Sequence, residues 1–330
     1  MFKNKIYFYM AVILAAAAGW AGLSTSAASA EAADCPAENF FDVSGENWNG
    51  FTVQVQAACS DEFLVVETND IPNFEFVQKT PAALQEQTYT FKIPLNPAIA
   101  AETSDIPLVG PSGITVTGLL IYGPTESPQD GSRDPYLDGL LDYCGGHTHQ
   151  GGVYHLHARP DCIFQEKDGI PYLVIGYAFD GFPILAPYIC EDAACTEVKE
   201  VQSSWVDANP EIDLSWERHE YAAGSGDLDR CNGMLFEDGS YAYFATDSFP
   251  YFMGCYMGEV EQSNILPGAG TGGPGQGGQP FGLPGGGSRT PDGFGRPGSG
   301  QIPFDPPPGR PPGQTQRPPG NNHPPRPNNR

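Results

Sequence analysis

The sequence predicts a mainly β protein: a single disulfide-stabilised β-rich domain, sandwich- or barrel-like, with an internal duplication and a disordered Pro/Gly-rich C-terminal tail. Three observations predict it. Short runs rich in β-branched and aromatic residues ("FTVQV", "EFLVVET", "TYTFKI", "GITVTGLLIY", "YLVIGYAF", "YAYFAT") recur between Gly, Pro, Asn and Asp, as strands separated by turns do. Eight cysteines all lie beyond the first thirty residues, and an even count in an exported chain indicates a disulfide framework. One unit of sequence is also present twice.

Along the chain, residues 1–30 come first. Lys3 and Lys5 precede an apolar stretch from Ile6 to Leu23 and the small residues Ala28-Ser29-Ala30, the layout of a secretory signal peptide. Export to a periplasmic or extracellular space follows, and the membrane becomes a partner only if that segment stays uncleaved. Asp34 before Cys35 argues against a lipid-anchored cysteine.

The domain proper is expected over 35–262. Eight cysteines allow 105 pairings; the expectation is sequential pairing, Cys35 with Cys59, Cys144 with Cys162, Cys190 with Cys195 and Cys231 with Cys255. A rival reading makes Cys144 a thiolate metal ligand. Only "PAALQEQ" and "SWVDANPEIDLSWERHEYAA" look partly helical. Residues 31–266 carry 38 Asp and Glu against 8 Lys and Arg, within a net charge of −24 for the chain. Such a field repels nucleic acid and anionic lipid and attracts cations; a salty habitat explains it as well. Residues 266–330 are Gly, Pro, Gln, Asn and Arg with almost no aliphatic side chains, too polar to bury a core, so a disordered tail is expected. The tail reads either as a spacer or as an adhesion segment for a cell-surface or extracellular-matrix partner, and nothing in it specifies which partner.

The repeated unit runs over about 113–158 and 176–245. "GITVTGLLIYGP" at 113–124 aligns with "GYAFDGFPILAP" at 176–187, and "CGGHTHQGGVYHLHA" at 144–158 with "CNGMLFEDGSYAYFA" at 231–245. The second pair brings four of the six histidines into view. If Gln150-Gly151-Gly152 is a three-residue hairpin loop, His147 pairs with His155 and His149 with Val153, and His147, His149, His155 and His157 share one face. A two-residue Gly-Gly turn would split them two and two. Their counterparts in the second copy, Met234, Phe236, Ala242 and Phe244, are all apolar, which suits one buried face.

Converging neutral imidazoles suit a transition metal, Zn or Cu, better than Mg²⁺ or Ca²⁺, which prefer oxygen. A smaller set keeps His147, His155 and His157 and leaves His149 at the rim. The competing reading is a polar patch hydrogen-bonded to backbone or acidic neighbours. Asp180, in "YAFDGFPI", reads first as a hairpin turn; as a functional residue it would orient a histidine or act as general base. Asp138 and Asp142 could do likewise. His219 reads as a surface residue, and His323 lies in the tail.

"NDIPNFEF", "CGGHTHQGGVYHLH", "GYAFDGFPI", "DLDRCNG" and "FPYFMGCYMG" together resemble the YHYH domain, named for a Tyr-His-Tyr-His motif in exported proteins. The resemblance covers about Val53 to Gly258. It implies one domain, export and a histidine-centred site carried over to His147, His155 and His157. Three departures stand out. The motif here is Tyr154-His155-Leu156-His157; family members often carry histidine after "IPN", where this chain has Phe74; and the second copy reads Tyr241-Ala242-Tyr243-Phe244.

The leading expectation is a metal-binding exported protein, with a metal-dependent hydrolase or redox enzyme as its catalytic extension. Catalysis itself is left open by the sequence. One alternative is a non-catalytic cell-surface or glycan-binding module, using the aromatics of "SYAYFATDSFPYFMGCYMG" with structural histidines. Another is an acidic calcium- or matrix-associated protein, although "DLDRCNG" lacks an oxygen side chain at its fifth position, as a calcium loop would need.

Overall fold

The computed structural model describes residues 35–164 and 167–265, so the expected signal peptide and tail lie outside the described residues. In chain order the first strands are β1 (Asn47–Trp48), β2 (Phe51–Thr52), β3 (Val55–Cys59), β4 (Phe63–Thr68), β5 (Tyr89–Pro94) and β6 (Ile99–Ser104). They are followed by β7 (Gly113–Thr115), β8 (Leu120–Ile121), β9 (Gly146–Thr148), β10 (Tyr154–Leu156), β11 (Val174–Ala178) and β12 (Pro183–Leu185). The remainder are β13 (Tyr188–Cys190), β14 (Val198–Glu200), β15 (Trp205–Asp207), β16 (His219–Tyr221), β17 (Gly233–Leu235), β18 (Tyr241–Phe244) and β19 (Tyr256–Gly258). The fold is mainly β, as expected.

An eight-stranded sheet in the order β17-β18-β12-β11-β7-β8-β10-β9 organises the domain. It is open, with β17 and β9 at its edges, so it does not close into a barrel. A three-stranded antiparallel sheet, β3-β4-β5, alternates inward and outward side chains and sends Leu64, Val66, Phe91 and Ile93 into the core. There they meet Ile114, Val116 and Phe179, with the Phe91 and Phe179 rings stacked at 4.9 Å.

The large sheet has the same connectivity read from either edge. β7 and β11 pair antiparallel at its centre, Gly113 opposite Ala178 and Thr115 opposite Gly176. On one side β8 runs parallel to β10, which is hairpinned to β9; on the other β12 runs parallel to β18, hairpinned to β17. Ile121 opposite Leu156 and Ile184 opposite Tyr243 are the pairs that the aligned sequences make equivalent.

The disulfides follow the sequential pattern: Cys35–Cys59, Cys144–Cys162, Cys190–Cys195 and Cys231–Cys255. Cys144 is therefore a disulfide sulfur and not a thiolate ligand. The helical expectations need correcting. "PAALQEQ" forms no helix, because its backbone serves the β9–β10 hairpin: the Gln85 amide donates to the Gly152 carbonyl (3.0 Å) and Ala82 O accepts from the Thr148 hydroxyl (2.6 Å). In the second stretch only α2 of the short helices α1 (Asp161–Phe164) and α2 (Ser215–Arg218) appears, as β15 and β16 pair with each other and Pro210 interrupts the segment between them.

Candidate metal centre

The β9–β10 hairpin has the register of the three-residue loop. His147 lies opposite His155 and Gly146 opposite Leu156, and the His149 amide donates to the Val153 carbonyl at 3.1 Å. Gly151 and Gly152 both take positive φ, and a Cβ on Gly152 would stand 2.3 Å from the Ala83 carbonyl, so this loop requires glycine. The two-residue turn is thereby excluded.

Beneath the loop, the buried Asp142 carboxylate accepts from the amides of Cys144 (2.9 Å) and Gly146 (3.2 Å) and from the Tyr154 hydroxyl (3.1 Å). Asp229 does the same in the other hairpin, accepting from Cys231, Gly233 and Tyr241. Asp142 thus anchors a hairpin and does not orient a histidine; Asp138 pairs with Arg133. Because Asp229 is engaged in this way, and Asp227 by Lys199 and the Gln202 amide, "DLDRCNG" offers no free carboxylate for calcium.

Alternation along the strands then sends His147, His155 and His157 to one side, where each offers a ring nitrogen within 4.8 Å of the other two. They are 2%, 2% and 1% exposed. The Nδ1 atoms face carbonyls, of Leu140 for His147 (3.3 Å), Val153 for His155 (3.4 Å) and Gly123 for His157 (2.6 Å). Nδ1–H donation to those oxygens leaves the Nε2 lone pairs directed into the group. The Nε2 atoms of His147 and His157 are buried without a hydrogen-bond partner. Burial, reinforced by repulsion from neighbouring histidines (His149 in the case of His147), pushes His147 down to about 4 and His157 to about 3, and holds His155 well below the ordinary range. All three are neutral at pH 7, the form that binds metals.

The chain leaving β8 closes the group from the side, because β8 runs beside β10. Tyr122 stacks on His155 with ring centroids 4.0 Å apart, Gly123 supplies the carbonyl to His157, and the Glu126 carboxyl reaches in. Glu126 Oε1 lies 3.4 Å from His147 Nε2, buried and without a hydrogen-bond partner. Burial, with help from Asp130 and Asp138, raises this carboxyl to about 7. Tyr122 and Glu126 were not singled out in the sequence, where neither belongs to a histidine motif.

Two expected site residues lie elsewhere. The His149 ring is drawn away from the other three: its Nδ1–H donates to the Gln150 carbonyl (2.6 Å) and its Nε2 accepts from the Tyr122 hydroxyl (3.0 Å). The candidate ligand set is therefore three histidines, with His149 at the rim. Asp180 is buried, but its oxygens accept from the Phe182 amide (3.3 Å), the Tyr243 hydroxyl (2.5 Å) and the Gly258 amide (2.9 Å). None of these partners is a histidine; Asp180 fastens the β11–β12 turn to β18 and β19. Asp180→Asn is expected to leave metal uptake unchanged while lowering stability by about 1–3 kcal/mol, which paired metal titration and denaturant melts would check. His219 is also not a free surface residue, since it stacks on Phe249 at 4.0 Å.

A family model described as "YHYH protein" matches residues 90–258. The chain belongs to the YHYH family. No curated protein and no solved structure matched it. In this YHYH protein the departures from the family motif fall outside the triad. Phe74 packs edge-on against Tyr154, on the strand face opposite the histidines, and Leu156 shares that opposite face. Ala242 and Phe244 join Leu185, Val201 and Leu228 in a small apolar cluster, with Met234 and Phe236 packed against it. An open groove of about 580 Å³, lined by Phe182, Leu185, Phe236 and Tyr241 among others, flanks this second hairpin and shares no residue with the histidine group.

Proposed function

We propose that this YHYH protein is an exported metal-binding protein that holds one Zn or Cu ion through His147, His155 and His157. One observation carries the reading: three buried, neutral imidazoles converge, and the Nε2 atoms of two of them, His147 and His157, are without a partner, an arrangement that costs free energy unless a shared partner satisfies it. Four disulfides support an oxidising, exported setting. The acidic charge supports cation capture, and the donor set, all aromatic nitrogen, favours Zn²⁺ or Cu²⁺ over Mg²⁺ or Ca²⁺. Only with a coordination position left open would an ion there supply Lewis-acid activation of water, or with copper a redox centre, the chemistry that a hydrolase or oxidoreductase needs.

The glycan-binding alternative is the weaker reading, because Tyr243, Phe244, Phe249, Phe252 and Tyr256 are core residues and, of the aromatics in that stretch, only Tyr241 lines the open groove. Elemental analysis of natively exported protein, with calorimetric titration of chelated protein by Zn²⁺ and Cu²⁺, tests the proposal. One ion per chain, lost in His157→Ala, is expected; absence of stoichiometric uptake by the wild type would overturn it.

A further inference from the structure

In the second half of the large sheet, the space equivalent to the histidine group is packed with hydrocarbon. The aligned segments, continued two residues without a gap, make Tyr122 equivalent to Leu185 and Glu126 equivalent to Ile189. Leu185 belongs to the apolar cluster under the second hairpin, and Ile189 packs against it. Glu126 therefore occupies a position whose counterpart packs against the apolar cluster of its own half. Its Oε1, like the Nε2 atoms of His147 and His157, is buried and lacks a partner.

Resting on the metal-binding reading above, we infer that Glu126 is the fourth protein donor of the centre, so that the ion is a closed structural cross-link doing for the first hairpin what apolar packing does for the second. The 3.4 Å between Glu126 Oε1 and His147 Nε2 is close to the edge of about 3.3 Å expected for nitrogen and oxygen donors on one tetrahedral Zn²⁺. The three histidine donors are spread more widely, up to 4.8 Å, so loading contracts the group. Histidine ligands 2% exposed or less, with a carboxylate that is itself only 13% exposed, leave little room for a substrate at the ion. A carboxylate beside three imidazoles also selects divalent ions of the zinc type over cuprous ion, which prefers sulfur.

Cobalt(II) provides the test, because its visible absorption reports coordination number and ligand exchange. Chelated full-length wild type, Glu126→Gln, Glu126→Asp and His157→Ala are each titrated with Co²⁺ and Zn²⁺ and then challenged with azide, with circular dichroism recording the fold. Wild type is expected to give the intense band of a four-coordinate ion, unmoved by azide. Glu126→Gln should bind at least about tenfold more weakly, with a weaker band that azide shifts, and Glu126→Asp should fall between. A wild-type band that azide shifts, or Glu126→Gln matching wild type in affinity and spectrum, overturns the fourth-donor assignment. If uptake also vanishes in His157→Ala, the histidine reading survives that result; no uptake by wild type overturns both.

Discussion

Replacing His147, His155 and His157 together by Met, Ala and Phe, the residues of the second hairpin, is expected to yield a protein that binds no metal and melts above metal-free wild type. Metal-free wild type buries two imidazole nitrogens without partners, and each such group costs about 1–3 kcal/mol. The replacements remove those atoms and install side chains that already pack together beneath β17 and β18. Exchanging a buried polar group for hydrocarbon of suitable shape is commonly neutral or stabilising. Metal reverses the order. An ion at a free concentration a thousand times its dissociation constant adds about 4 kcal/mol to wild type and nothing to the variant. For a domain of this size that corresponds to roughly 8–16 °C in melting temperature. Calorimetric melts with chelator and with Zn²⁺ should rank loaded wild type above its metal-free form by such a margin and show one chelator-independent value for the variant. Identical wild-type melts in the two conditions would refute the argument.

The hairpin that carries the histidines was legible because its determinants are local. Loop length and two glycines fix the register, and the register fixes which side chains share a face. The disulfides were legible for a related reason, since each joins cysteines at most 24 residues apart. What escaped was non-local. Asp180 sits in an Asp-Gly turn, but its partners Tyr243 and Gly258 lie 63 and 78 residues further on, so nothing nearby distinguishes an anchoring carboxylate from a catalytic one. Glu126 reaches the centre only because β8 lies parallel to β10, a pairing that no local pattern announces. His149 has the right strand parity, but at the loop edge its ring meets Tyr122 instead of the triad. Parity assigns a face; it does not assign a partner.

Acid should destabilise metal-free wild type far more than the Met-Ala-Phe variant, and only below about pH 6.5. His147 and His157 are held at about 4 and about 3 by burial and by the neighbouring histidines, whereas in the unfolded chain they titrate near 6.5. Between those values the unfolded chain binds more protons, so stability falls as pH is lowered through that window and is unaffected by these groups above it. Each histidine contributes on the order of 3–5 kcal/mol across its full window. Glu126 works in the opposite sense. Its carboxyl is raised to about 7, so the folded state holds the proton that the unfolded chain releases, and its contribution grows as pH falls from about 7 towards 4.5. Asp142 and Asp180, also raised by burial, act in the same direction. Wild type and variant share these carboxyls, and only Glu126 touches a replaced side chain, so the difference between their unfolding free energies reports chiefly on the histidines. Urea melts from pH 8 to pH 4 in chelator should give a difference that is flat down to about pH 6.5 and then widens steadily against wild type. A difference independent of pH over that range would mean that the imidazoles are neither buried nor crowded as the hairpin places them.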